Sequence, residues 1–207
     1  MALDEAEGDQ SPRQRILEAA FKVFSREGYE RASTLAIATE AKVSKRDLYA
    51  HFGSKYDILV ACIELRAARM NLATELPVPT APAHLEAILT RIAAGMLIQV
   101  SDPKIVSVYR LATAEAVRAP EIARTLDRVG RLATHGRVAR FMAQAQAAGL
   151  LAEGNPEQFA TEFLSLAWES LWLPLVLGVA ETPPRDALEA QAARAAAAFM
   201  RLRGIRP

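Results

Sequence analysis

The fold is decided by residues 33–55, which read STLAIATEAKVSKRDLYAHFGSK. Apolar residues recur at helical spacing on both sides of Lys42 and Val43, so the pattern predicts two short helices joined by a tight turn. The rest of the stretch is polar and mostly basic, which is typical of a helix-turn-helix that reads DNA. The side chains that we expect to be buried are Leu35, Ile37, Ala38, Val43, Leu48 and Phe52.

Capping signals mark where the helices of this region begin. A helix is predicted from Pro12, because Ser11 can cap it and Gln14 can return a hydrogen bond. Gly28 offers the backbone conformation that ends that helix. The same capping pattern predicts two further helix starts, at Ser44-x-x-Asp47 and at Ser54-x-x-Asp57.

Residues 11–59 resemble the N-terminal region of the tetracycline-repressor (TetR) family of bacterial transcriptional regulators. The resemblance rests on PRQRILEAAFKVFSREGY, which begins at Pro12, and on LAIATEAKVSKRDLYAHFGSKYDIL, which begins at Leu35. From Glu64 onward the chain more loosely resembles the ligand-sensing and dimerising domains of that family, in particular the subgroup with an AefR-like C-terminal region. The resemblance implies a homodimeric DNA-binding regulator that responds to a small molecule.

The chain departs from the family pattern at two positions. Lys42 stands where the turn usually has glycine, and a non-glycine residue in a left-handed conformation costs about 1 kcal/mol. Ala36 stands where an acidic residue often returns a hydrogen bond to the first cap. We expect the turn to form despite both changes, and neither removes a DNA contact.

The charge of the chain is unevenly distributed. The net charge of the 207 residues is only +1, but residues 11–56 hold nine Lys or Arg against five Asp or Glu, a balance of +4. Positive charge therefore concentrates where phosphates would be met. A single cysteine, Cys62, excludes an intramolecular disulfide and a multi-cysteine zinc site, which suits the reducing cytoplasm. No cofactor or metal is predicted.

The pattern predicts an all-α protein of about nine helices, because no alternating strand pattern of useful length occurs in the sequence. A proline-rich connector, PVPTAP, follows Leu76. The longest apolar run, residues 171–180, is too short to cross a membrane, so we expect a buried helix there. Beyond the connector, helices are expected near residues 83–101, 103–118, 120–148, 156–178 and 184–203.

This pattern predicts three segments along the chain. Residues 1–10 form an acidic, disordered lead rather than a signal peptide, because they lack an apolar core. Residues 11–56 form the helix-turn-helix DNA-binding domain. Residues 57–207 form a helical domain for ligand binding and dimerisation, with the dimer interface near 156–178 and 184–203. The alanine run in the last helix allows close helix approach.

The DNA-contact prediction centres on the start of the second short helix, because those residues reach base edges in the major groove. Lys45 and Arg46 are expected to read bases, since Arg and Lys favour guanine. For Asp47, capping is favoured over a base contact.

Contacts to the DNA backbone are expected from Ser33 and Thr34 at a helix start and, by the resemblance, from Tyr49 and His51 of the Tyr-x-His-Phe pattern. A structural histidine is the alternative for His51. Lys55 lies in the first turn of the next helix, where a cation opposes the helix dipole and gains nothing for stability, so a phosphate contact is expected from it. Ser44, the cap of the second helix, completes the predicted DNA-binding set.

An effector pocket is predicted in the second domain around two tryptophans. Trp168 and Trp172 lie four residues apart on one helical face, and Pro174 should bend that helix. Ordinary core or dimer packing is the alternative, because aromatic residues at helical spacing are most often core. The candidate neighbours in the pocket are Met96, Tyr109, Phe141 and Met142.

Together these features predict a repressor that binds a pseudo-palindromic operator as a homodimer and releases it on binding a small, largely apolar effector. That the protein represses transcription, and does not activate it, is implied by the resemblance only. An enzyme is disfavoured, because Cys62 has no catalytic signature and the histidines, at positions 51, 84 and 135, are scattered. A DNA-binding regulator without a small ligand, constitutive or protein-partnered, remains the alternative.

Overall fold

The computed structural model describes residues 11–69, 76–168 and 170–205, and within them the protein is all-α, as predicted. The predicted acidic lead at residues 1–10 lies outside the described residues. In chain order the helices are α1 Pro12–Glu27, α2 Thr34–Glu40, α3 Lys45–His51, α4 Lys55–Arg69, α5 Pro82–Val100, α6 Pro103–Glu115, α7 Pro120–Asp127, α8 Ala133–Ala147, α9 Pro156–Trp168, α10 Trp172–Leu177 and α11 Arg185–Arg203. A π-helical turn, Arg128–Leu132, joins α7 to α8.

The described helices fall into two compact units. The first consists of residues up to Ala67 together with Leu111–Leu126, and the second of Ala68–Arg110 and Asp127–Pro207. Residues packed with the DNA-binding helices therefore extend past the predicted boundary at residue 56. The functional division into 11–56 and 57–207 stays a prediction, because packing alone does not assign functions.

In the first unit, α1 packs against α2 and α3 to form a small core. The predicted cap of α1 is confirmed, since the Ser11 hydroxyl accepts from the Gln14 amide at 3.3 Å and the Gln14 side chain accepts from the Ser11 amide. Leu48 is fully buried and Phe52 nearly so, which confirms the predicted core face of α3. The helices of this unit are thus held by local capping and by one shared apolar face.

The helix-turn-helix differs from the prediction at Leu35, and Val43 is half-buried where full burial was expected. Leu35 is 61% exposed, so its predicted burial is wrong. The buried face of α2 contains Ile37, Ala38 and then Ala41; Leu35, two residues before Ile37, lies about 200° away around the helix. Lys42 has φ 54°, which confirms the predicted left-handed turn without glycine.

In the second unit, α11 packs extensively against α5, and α9 packs against both α8 and α11. Phe199 lies at the centre of this core, with its ring centroid 6.2 Å from that of Phe159 and 5.6 Å from that of Phe163. By length and composition α5 could cross a membrane. Its apolar residues instead form much of this core, from Leu85 to Val100.

Two of the predicted long helices are interrupted. The helix predicted at 120–148 contains the π-helical turn between α7 and α8. The helix predicted at 156–178 is wrong as a single helix: α9 ends at Trp168, and α10 begins at Trp172. Pro174 lies in the first turn of α10, where its missing amide hydrogen costs no helical bond. The proline therefore fits a new helix start better than a bend.

Candidate DNA interface and effector cavity

The start of α3 is held by a complete capping box between Ser44 and Asp47. The Ser44 hydroxyl accepts from the Asp47 amide at 3.0 Å and donates to the Asp47 carboxylate at 2.7 Å. Hydrogen bonds from the Ser44 hydroxyl and then the Ser44 amide lower the pKa of Asp47. Both side chains are therefore engaged in capping α3. This agrees with the prediction that Asp47 caps the helix in preference to contacting a base.

Lys45 and Arg46 occupy the first positions of α3, and both are exposed. The Lys45 ammonium lies 5.9 Å from the ring centroid of Tyr49, within the range of a cation–π contact. Among the described residues, the structure records no hydrogen bond or ion pair for the Arg46 guanidinium. Two cations at the start of a short, firmly capped helix can reach the base edges of a major groove.

Polar groups from α2 and α3 meet beside these cations. The hydroxyl oxygens of Thr34 and Tyr49 are 3.2 Å apart, so a hydrogen bond joins the start of α2 to the second half of α3. The Ser33 hydroxyl caps α2 by accepting from the Ala36 amide at 3.0 Å, which leaves its own proton for another acceptor. His51, in the last turn of α3, is exposed.

Lys55 makes a different set of contacts from those expected. Its ammonium donates to the carbonyl oxygens of Tyr29, Glu30 and Ala32 at 2.8, 3.2 and 3.1 Å. It also lies 4.4 Å from the centroid of the Tyr29 ring. The expectation that this cation gains nothing for stability is therefore wrong, because its three protons satisfy the carbonyls of the loop between α1 and α2. A phosphate contact would have to displace one of those acceptors.

We expect the Lys55→Met variant to lower the stability of the protein rather than its affinity for DNA. Methionine keeps the packing on Tyr29 but leaves three carbonyl groups without their donor. This should lower the free energy of unfolding by about 1–2 kcal/mol. For a chain of this size that corresponds to a decrease in Tm of roughly 2–8 °C. Thermal unfolding measures the effect, and Lys22→Met is the control, since Lys22 is 67% exposed. Unchanged unfolding with weaker binding to random duplex would contradict this role.

In the second unit, a small cavity contains part of the predicted pocket. Met96, Tyr109 and Trp168 line it, as does Leu164. Its volume is about 40 Å³, which holds only a few water molecules. Phe141 and Met142 do not line this cavity and lie fully buried in the core formed with α5 and α9. The structure therefore brings together three of the six predicted pocket residues around one void.

Trp172 lies between two other aromatic rings. Its centroid is 4.4 Å from that of Tyr109 and 5.4 Å from that of Trp168, both in edge-to-face geometry. Arg110 donates to the carbonyl oxygens of Leu175 at 2.7 Å and Val176 at 2.8 Å, and so holds the end of α10. The two tryptophans meet through a chain turn, not along one helical face as predicted. Trp172 supports the wall that Tyr109 and Trp168 form.

The cavity has polar residues that sequence reasoning missed. Gln99 and Thr134 line it, together with Gly130 and Arg131 of the π-helical turn. Arg131 donates twice to Asp127, at 2.5 and 2.9 Å. The helical pattern continues unbroken through this turn in the sequence, so only the glycine in a long helix signalled it. π-Helical turns occur frequently at functional sites.

The outer faces of α9 and α11 form a groove in the second unit. The groove contains Leu166, Ala197 and Ala198, which are half-buried, and is flanked by Arg194 and Arg201. Ala195 and Ala196, part of the predicted alanine contact, are instead buried in the protein's own core. The groove thus lies on the two helices that the sequence predicted for dimerisation.

A capped recognition helix joined to a second helix by a tight turn, with exposed cations at its start, defines a helix-turn-helix transcriptional regulator. Residues 16–62 match the family described as bacterial regulatory proteins, tetR family. Residues 87–203 match the AefR-like transcriptional repressor, C-terminal domain. The chain belongs to the TetR family of transcriptional regulators, and it is a regulator rather than an enzyme.

Comparison with individual proteins agrees with this family. The solved structure of the flavonoid-responsive regulator FrrA is 31% identical, with a TM-score of 0.78, and the match covers 95% of this chain and 98% of FrrA. The regulator HbdR of Aromatoleum sp. (strain CIB) is 51% identical over 23% of this chain and 20% of its own length. The repressor NicS of Pseudomonas putida (strain KT2440) is 41% identical, and the match covers 30% of this chain and 29% of NicS. The chain thus matches less than a third of the length of these two regulators.

Proposed function

We propose that this protein is a ligand-responsive repressor that binds a pseudo-palindromic operator as a homodimer and releases it on binding a small, largely apolar effector. The observation that carries the DNA-binding part is the exposed pair Lys45 and Arg46 at the capped start of α3. Repression, as opposed to activation, is supported by the match to the AefR-like repressor domain and by the similarity to the repressor NicS. A cytoplasmic location follows from binding the operator.

The proposed DNA contacts divide into two groups. Lys45 and Arg46 read base edges, because they start the recognition helix and are exposed. Phosphate contacts come from the hydroxyl groups beside them and from the exposed histidine in the last turn of the helix; these residues are Ser33, Thr34, Tyr49 and His51. Ser44 and Lys55 take structural roles in this proposal, since their polar atoms are used inside the protein.

The homodimer forms through α9 and α11 in this proposal. Their groove presents the half-buried Ala197 and Ala198, whose small side chains allow a second pair of helices to approach closely. Two copies of α9 and α11 then make a four-helix interface with two-fold symmetry. The operator should share that symmetry, with half-sites about one helical turn apart.

The effector binds at the cavity lined by Met96, Tyr109 and Trp168. Support comes from its largely apolar wall and from the π-helical turn that forms part of it. The response of FrrA to flavonoids, in a chain 31% identical over nearly its whole length, also supports a small-molecule effector. The alternative is a regulator without a small ligand. It would be favoured if no compound in a ligand screen changed the affinity for the operator.

Coupling between effector and operator is proposed to run along α6. Tyr109, near the middle of this helix, lines the cavity in the second unit, while Glu115, at its end, is buried in the first unit. A ligand that displaces Tyr109 therefore acts on a helix whose last turn belongs to the same compact unit as the DNA-binding helices. Coupling of about 1–3 kcal/mol would lower operator affinity roughly 5- to 150-fold, provided that the ligand prefers the released state.

A footprint on the DNA upstream of the protein's own gene tests the proposal. We expect two protected half-sites related by two-fold symmetry, with centres about 34–36 Å apart. A single unpaired protected site would contradict binding as a symmetric dimer. Repeating the footprint with candidate effectors then tests release, because an effector should remove protection from both half-sites together.

A further inference from the structure

The cavity beneath Trp168 carries a more specific statement about the effector, which rests on the proposed function. Its walls combine the apolar side chains of Met96, Val100 and Leu164 with the aromatic rings of Tyr109 and Trp168. Such walls favour a flat, apolar ring over a flexible or strongly hydrated molecule. The polar groups among them decide what else the ligand must carry.

The Tyr109 hydroxyl is one of the polar groups in the cavity wall, beside those of Gln99 and Thr134. The ring packs edge-to-face on Trp172 with centroids 4.4 Å apart, and this contact fixes the direction of the hydroxyl. Among the described residues, the structure records no acceptor for its proton. Burial raises the pKa of Tyr109, so the hydroxyl stays protonated and acts as a donor at neutral pH. Because Tyr109 is half-buried in the cavity wall, a ligand in the cavity can supply the acceptor for this hydroxyl.

Gly130 leaves room beside that hydroxyl. A Cβ atom at this position would lie 3.0 Å from the Tyr109 oxygen, closer than side-chain carbons normally approach. The absent side chain therefore keeps the hydroxyl accessible from the π-helical turn. Because 40 Å³ is too small for an aromatic ring, the wall must move, and a turn with i→i+5 bonds is a local irregularity that can repack.

The charge of the cavity wall disfavours strongly charged ligands. Arg131 is the cation in its wall, and its guanidinium makes a two-point ion pair with the Asp127 carboxylate. An anionic ligand would have to compete with Asp127 for that guanidinium, which offsets much of its gain. A cationic ligand would lie against Arg131 and lose its hydration shell without a free carboxylate in exchange. A neutral molecule meets neither cost.

We propose that the effector is a neutral aromatic molecule carrying an oxygen that accepts a hydrogen bond from the Tyr109 hydroxyl. The ring lies against Met96 and Trp168, and the acceptor points toward the π-helical turn at Gly130. Tyr109 thus both selects the ligand and, through its contact with Trp172, reports its arrival to α10.

Isothermal titration calorimetry of the full-length protein tests this with four singly substituted benzenes of similar size. Acetophenone is neutral and has an acceptor oxygen, whereas isopropenylbenzene replaces that oxygen with a methylene group. Benzoate is the anionic probe and phenyltrimethylammonium the cationic one. We expect acetophenone to bind most tightly. Tighter binding of either charged probe, or no binding of acetophenone, would overturn the proposal.

The variant Tyr109→Phe isolates the hydrogen bond. It should weaken acetophenone binding about 3- to 10-fold, the effect of one lost hydrogen bond, and leave isopropenylbenzene binding unchanged. Gly130→Ala is the second variant, since its methyl group blocks the hydroxyl and should reduce the same preference. An equal loss for both probes in Tyr109→Phe would remove the hydrogen bond from the argument.

Release of the footprinted operator separates this inference from the proposed function. If acetophenone binds with the expected dependence on Tyr109 while the operator stays bound, the ligand chemistry stands and the release mechanism is overturned. If charged probes release the operator in place of acetophenone, the release mechanism stands and the ligand chemistry is overturned.

Discussion

The Ala198→Arg variant should produce a folded monomer that no longer holds the operator. Ala198 is half-buried in the groove between α9 and α11, with Arg194 one turn before it and Arg201 nearly one turn after it. Arginine is much larger than alanine and would fill the groove. Its charge adds to those of Arg194 and Arg201, so the same surface of a second copy would be repelled. Losing one half-site should reduce operator affinity about 100-fold or more, because specific binding depends on two recognition helices held together.

Sedimentation and operator titration measure these two effects on the same sample. Ala193→Arg is the matched control, because Ala193 lies on the same helix, is exposed, and does not line the groove. The control should remain a dimer with wild-type affinity, and far-ultraviolet circular dichroism should show unchanged helicity for both variants. An Ala198→Arg protein that stays dimeric would place the interface elsewhere.

Arg46→Ala should reduce affinity for the operator selectively. The guanidinium of Arg46 is exposed at the start of α3, and a two-point contact with guanine contributes about 1–3 kcal/mol of discrimination. The operator should therefore be bound roughly 5- to 150-fold more weakly. Binding to a random duplex depends mainly on phosphate contacts and should change little.

Fluorescence anisotropy with both duplexes at several salt concentrations distinguishes the two kinds of contact. Arg26→Ala is the control, because Arg26 is 58% exposed and pairs with Glu27 at 2.8 Å, at the end of α1. It should leave both affinities unchanged. An equal loss on the two duplexes in Arg46→Ala would make that residue a phosphate contact instead of a base contact.

The local structure of the DNA-binding region could be predicted from the sequence because its signals act over a few residues. A serine cap bonds to an amide three positions later, so Ser11 and Ser44 predicted the starts of α1 and α3. The turn at Lys42 followed from its position between two apolar helical patterns, even without glycine. The family signature is also contained in this region, so the regulator class was predictable there.

The contacts of Lys55 could not be predicted from the residues near it in the sequence. Its position in the first turn of α4 predicted a cation that opposes the helix dipole. The three carbonyls that accept its protons belong to residues 29–32, more than twenty positions earlier in the chain. Only the folded backbone brings those oxygens to the ammonium, so no pattern near Lys55 could indicate them.

The candidate effector site was decided almost wholly by tertiary structure. The sequence pattern predicted a helical second domain and six candidate pocket residues, of which Met96, Tyr109 and Trp168 line the cavity. The π-helical turn at Gly130, the break between α9 and α10, and the packing of Trp172 on Tyr109 arise from contacts between separate helices. A helical period shows which residues share a face of one helix, but a cavity is formed by several helices, whose packing depends on side-chain volumes throughout the core.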